Sequence, residues 1–140
     1  MRQIIYMSSC HYEMTSACLE EIAEQARKNN PREQITGLLL YGDQLFFQVL
    51  EGPDAQIESM RHRIWSDPRH KGINEVKNAA IESRSFPDWS MGCYRVDACT
   101  ETIDHWTIVD VNSIKKHIPD SVSPDVLVLA RTFFQSIARR

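Results

Sequence analysis

Ile35-Thr36-Gly37-Leu38-Leu39-Leu40-Tyr41-Gly42-Asp43-Gln44-Leu45-Phe46-Phe47-Gln48-Val49-Leu50-Glu51-Gly52-Pro53 is two apolar runs separated by a short polar break. Short runs of this kind, bounded by Gly, Asp and Pro, read as buried strands. Gly42-Asp43 supplies the turn, so strands at 35–41 and 45–50 are predicted to form a hairpin. Within the second run Gln48 sets a carboxamide among the apolar residues Leu45, Phe46, Phe47, Val49 and Leu50. A buried polar group without a partner costs roughly 1–3 kcal/mol. The Gln head carries both a donor and an acceptor, and turning it swaps the two. It suits a place where something other than protein is read.

On the N-terminal side of the hairpin, Leu19, Ile22 and Ala26 recur at helical spacing with Glu20, Glu21, Glu24 and Arg27 opposite. Thr15 or Ser16 can cap this helix. It is predicted to end near Asn29, because Pro31 disfavours helical geometry at Asn30. Ile4-Ile5-Tyr6 before it is a short buried strand. On the C-terminal side Asp54 can cap a second helix with the stripe Ile57, Met60 and Ile64, stopped by Asp67-Pro68. Residues 73–81 and 91–97 are two further strands. The order β-α-β-β-α-β plus a fifth strand predicts an α+β, ferredoxin-like core with two helices on one face of a mixed sheet.

Residues 98–140 are of a different kind, so the chain divides into a core at 1–97 and a helical extension at 98–140. Ser123-Pro124-Asp125 starts a terminal helix, and Val126, Ala130, Phe133 and Ile137 follow on one face. It is expected to cap the other face of the sheet, which would otherwise present apolar residues to water. Residues 114–118 are read as a short helical turn ended by Pro119. Trp65 and Trp106 are read as packing residues.

The chain has 140 residues, 42% of them hydrophobic and 25% charged, with a formal net charge of −3. That is one ordinary globular domain without the basic balance that nucleic acid or a membrane surface calls for. No apolar stretch approaches the ~20 residues of a membrane span, and Met1 to Tyr6 lacks a signal-peptide layout. A cytoplasmic protein is expected. Cys10, Cys18, Cys93 and Cys99 form no Cys-x-x-Cys pair and read as reduced fillers. His11, His62, His70, His105 and His117 show no metal-ligand spacing.

The predicted fold makes neighbours of several polar groups. A cleft between the two helices would be walled by Ile22 and Ile64 and floored by Tyr6 and Gln48. Asn29 and Asn30 would stand at its mouth with Arg63 and Arg69, and His70 close by. Such a cleft suits a flat, mostly apolar ring with a polar edge and an anionic tail, for which Arg is the natural partner.

Five runs carry a specific resemblance: Ile4 to Ser8, Asn29 to Tyr41, Phe46 to Pro53, Asp67 to His70 and Phe86 to Met91. Together, in this order and at these separations, they resemble the BLUF family of blue-light sensors that use FAD. The resemblance covers residues 2 to 95. It implies that Tyr6 gives an electron to the excited flavin and that its proton moves through Gln48, which is left rotated or tautomerised. It implies that Asn30 binds the carbonyl edge of the ring, with Asn29 a second polar position beside it. Arg63, Arg69 and His70 fall where the family contacts the phosphates or ribityl tail. Trp89 and Met91 match a mobile pair on the fifth strand that couples the pocket to the exterior. The resemblance further implies a sensor without an enzyme domain, working through a protein partner or its own homo-oligomer. The alternatives are a flavin-dependent electron carrier or reductase and, without a nucleophile–base pair to support it, a small phosphatase using Arg69 and Asn30.

Overall fold

The chain is described from a computed structural model covering residues 1–10, 15–95, 106–109 and 116–138. His11, Cys99, His105 and the start of the turn expected at 114–118 lie outside the described residues. The elements are β1 (Arg2–Cys10), α1 (Ser16–Glu33), β2 (Thr36–Gly42), β3 (Leu45–Gly52), α2 (Asp54–Trp65), β4 (His70–Ala80), β5 (Gly92–Arg95), β6 (Thr107–Ile108) and α3 (Pro124–Ala138).

The strands lie side by side as β4-β1-β3-β2-β5-β6. β1 is antiparallel to both β3 and β4, and β2 is antiparallel to β3. β5 and β6 then add in parallel beyond β2. The first four strands make the ferredoxin-like core, and the sheet as a whole is mixed. Alternation along each strand divides its side chains between two apolar layers. Ile4, Tyr6, Leu39, Phe46 and Leu50 pack with Leu19 and Ala23 of α1 and Ile57 of α2. Ile5, Leu38, Leu40, Phe47 and Val49 pack with Val126, Ala130, Phe133 and Phe134 of α3. The terminal helix therefore covers the face opposite the helix pair.

Several local expectations are corrected. α1 does not stop near Asn29; it runs through Pro31 to Glu33. Its end is held by Gln34, which adopts the left-handed conformation at φ 59°. The Asn30 carbonyl accepts the amide of Ile35 at 2.9 Å. Proline removes one amide, but near the end of a helix most of the ladder is already made. The hairpin turns on Asp43-Gln44, both at positive φ, rather than on Gly42, which is the last residue of β2. Asp54 is the first helical residue of α2 and not its cap; Pro53 precedes it without a side-chain cap bond. β4 starts at His70 rather than 73, so His70 lies on a strand. Trp89 and Met91 precede β5 instead of lying on it. β6 has no counterpart in the sequence reading.

Candidate functional site

α1, α2 and the sheet beneath them flank an open cleft of about 170 Å³. Tyr6, Ile22, Asn29, Asn30, Gln48, Arg63, Ile64, Arg69 and His70 all line it. The sheet register explains the floor. Tyr6 of β1 stands directly opposite Gln48 of β3, and paired residues point to the same side. Asp67 also lines it, and Gln25, Ala26, Leu39, Phe46, Leu50 and Met60, which the sequence reading did not assign to the cleft, complete the lining. Their signals were present. Gln25 and Ala26 lie three and four residues beyond Ile22 on one helix face, and Phe46 and Leu50 flank Gln48 at the strand period of two.

The Tyr6 hydroxyl donates to Gln48 Oε1. Gln48 Nε2 is directed at the Met91 sulfur, 3.7 Å away. These contacts fix which way the amide faces. Burial pushes the Tyr6 phenol far above its ordinary pKa of 10.0, so it stays protonated and can donate. A thioether can only accept, so the amide nitrogen belongs on the Met91 side. Trp65 meets the Tyr6 ring edge-on at 5.3 Å.

Asn30, only 1% exposed, donates through Nδ2 to the Ser90 carbonyl at 2.7 Å. Its Oδ1 is buried without a hydrogen-bond partner among the described residues. An orphaned acceptor in a cleft wall points to a ligand that donates. At the mouth, Arg63 reaches Glu33 at 2.6 Å and Arg69 reaches Asp67 at 2.6 Å. Burial tends to raise the Asp67 pKa, but hydrogen bonds and charge from Arg69 outweigh it and hold the carboxyl below its usual range.

Met91 and Trp89 face opposite ways. Met91 is buried against the cleft side of the sheet. Trp89 packs on the α3 side, 5.4 Å from the Phe86 ring and 5.8 Å from the Tyr94 ring. Gly92 makes this possible, since a Cβ there would come within 2.4 Å of the indole. The packing readings of Trp65 and Trp106 also have their contacts. Trp106 lies on α1, donating from Nε1 to the Leu19 carbonyl at 2.7 Å. Cys10 and Cys93 are buried free thiols whose pKa values are pushed by burial up to about 11 and about 12.

His70 is bonded through Nδ1 to Ser8 Oγ at 2.7 Å, and burial is the main cause lowering its pKa from 6.5. Nearby Asp67 opposes that shift and Arg69 adds to it. The folded protein therefore binds this proton less readily than the unfolded chain does. The stabilisation is full above pH 6.5 and is lost as the pH falls below it. His70→Gln is expected to lose less stability than the parent between pH 7 and pH 5. Paired urea titrations at the two pH values measure this, and equal losses would rule out the assignment.

The sequence model of the family described as "Sensors of blue-light using FAD" (BLUF) matches residues 1–92. The chain is 36% identical over 83 residues to the "Blue light- and temperature-regulated antirepressor BluF" of Escherichia coli (strain K12), covering 59% of this chain and 21% of that protein. It is 27% identical over 135 residues to the "Photoactivated adenylate cyclase subunit beta" of Euglena longa, covering 91% of this chain and 16% of that protein. The chain thus spans a small part of the length of these two relatives. The solved dark-state structure of BlrB, "a BLUF protein", superposes with a TM-score of 0.67 at 30% identity, covering 96% of each chain.

Proposed function

Because the chain belongs to the BLUF family of flavin-binding blue-light sensors, we propose that it holds FAD non-covalently in the cleft between α1 and α2 and switches through Gln48. The observation that carries the reading is the relay from the Tyr6 hydroxyl to Gln48 Oε1, with Gln48 Nε2 turned to Met91. Asn30 Oδ1, buried without a partner among the described residues, would take a donor on the polar edge of the ring. Ile22 and Ile64 would bind its faces. Asn29 would stand beside Asn30 at that edge, and Arg63, Arg69 and His70 would hold the tail. When bound, the flavin supplies the chromophore and, once excited, an oxidant for a neighbouring donor.

Tyr6 would be the donor, with Gln48 Oε1 taking its proton. Once the electron and the proton have both returned to Tyr6, no net redox change remains and the amide can be left in its second orientation. That orientation turns the oxygen toward Met91, whose sulfur has no proton to give. An unsatisfied amide oxygen costs roughly 1–3 kcal/mol, which drives the return in the dark. The state change is read out as altered contacts with a protein partner or a second copy of the chain. On this reading the core is 1–97, the extension 98–140 is its output surface, and the chain itself carries no enzyme activity. A cytoplasmic location fits. Among the described residues, no helix is long and apolar enough to cross a membrane.

The decisive measurement is an absorption spectrum of the flavin-loaded protein before and after blue light. A reversible red shift that relaxes in the dark is expected. Permanent bleaching, or a protein that takes up no flavin, would overturn the proposal. Bleaching by a chemical reductant with turnover of a substrate would indicate a reductase instead.

A further inference from the structure

Glu51 is the penultimate residue of β3, the hairpin's second strand, and is fully buried. A carboxylate with no exposure needs a full set of donors. Here they come from elsewhere in the chain. Glu51 Oε2 accepts from Gln3 Nε2 at 2.9 Å and from the Ser85 amide at 2.8 Å, and Oε1 accepts from the Phe86 amide at 2.8 Å. Arg84 adds bonds to the Glu51 carbonyl at 3.0 Å and to Thr36 Oγ1 at 2.8 Å. The segment fixed in this way is the one that carries Trp89 and Met91. It runs from Phe86, buried on the α3 face, to Met91 on the cleft face.

The same segment also touches the start of α3. Ser85 Oγ accepts from the Ser123 amide at 3.2 Å, and the Ser85 carbonyl accepts from Ser121 Oγ at 2.7 Å. A continuous set of hydrogen bonds therefore joins the strand of Gln48 to the N-terminus of α3. We propose that Glu51 is a positioning residue. Its carboxylate clamps residues 85–86 so that Met91 stays against Gln48 and Trp89 stays on the opposite face, and through Ser85 the clamp seats α3. The photochemical part of this rests on the reading of Gln48 given above; the clamp itself does not.

Amide hydrogen exchange on the flavin-loaded protein in the dark tests the clamp. In Glu51→Ala the Ser85 and Phe86 amides are expected to exchange about tenfold faster or more. The Trp89, Ser123 and Leu127 amides should follow, while the β3 and β2 amides of Val49 and Leu39 stay protected. Glu51→Gln keeps the shape but has one acceptor oxygen, which two donors already claim at the Oε2 position. It should free the Phe86 amide in particular. Ser85→Ala should free the Ser123 and Leu127 amides and leave Phe86 protected. Exchange as slow as in the parent, or faster by the same factor at every amide, overturns the clamp. Dark recovery in Glu51→Gln should change about threefold or more with the red shift retained; an unchanged rate overturns the positioning role. If the parent shows no red shift, the sensor reading fails and the exchange pattern still decides the clamp.

Discussion

Replacing Tyr6 with Phe is expected to leave a yellow, flavin-bound protein whose absorption no longer shifts to the red under blue light. The change deletes one oxygen and leaves the ring, so the edge-on contact with Trp65 at 5.3 Å survives. What goes is the proton that the Tyr6 hydroxyl holds against Gln48 Oε1, and Met91 on the other side has none to replace it. Gln48 Oε1 is also left buried without its donor. That should destabilise the fold by about 1–3 kcal/mol, readable as a lower urea midpoint. Gln48→Glu is the companion test. It keeps the shape but removes the N–H directed at Met91, and it should bind flavin without reaching the normal red-shifted state. Difference spectra before and after illumination measure both, and a full reversible shift in Tyr6→Phe would exclude the relay.

Why the floor of the cleft was legible, and its wall less so, follows from the kind of signal each carries. Gln48 stands out because strand residues around it are all apolar, and its partner Tyr6 lies on a strand equally plain in pattern. The face on which they meet follows from a period of two. The end of α1 was misread because the local rule for proline is sound but incomplete. Asn30 remains helical because Gln34 takes a left-handed turn and Ser90, 60 residues on, accepts the Asn30 amide. Neither has a local signature. Glu51 is the extreme case. In sequence it looks like the solvated end of a strand before Gly52-Pro53, and nothing nearby announces that two backbone amides of residues 85–86 will bury it. β6 is only two residues, Thr107–Ile108, too short for any periodicity to register. The terminal helix was readable for the opposite reason. Its apolar residues recur over 15 residues, and the unpaired apolar face of the sheet calls for such a cover.

Phe133→Ala is expected to carry the largest stability loss, about 3–5 kcal/mol. Phe133 is 2% exposed and sits between α3 and the sheet, its ring 5.6 Å from Phe47 and 6.0 Å from Phe134. Truncation removes a whole ring from a layer that also holds Val126 and Ala130, side chains too short to close the gap. The cleft lies on the other side of the sheet, and Phe133 is not among its lining residues. The flavin spectrum of whatever remains folded should therefore match the parent, while the urea midpoint falls steeply. If α3 is also where the light state is read out, the same variant should keep its red shift and loosen the coupling of α3 to the sheet. Chemical denaturation gives the first quantity and difference spectra the second. A variant that lost the shift in proportion to its stability would mean that the two faces are not independent. The sheet would then transmit a packing change across its thickness, from Phe47 to its strand neighbour Gln48, without needing the path through residues 85–91.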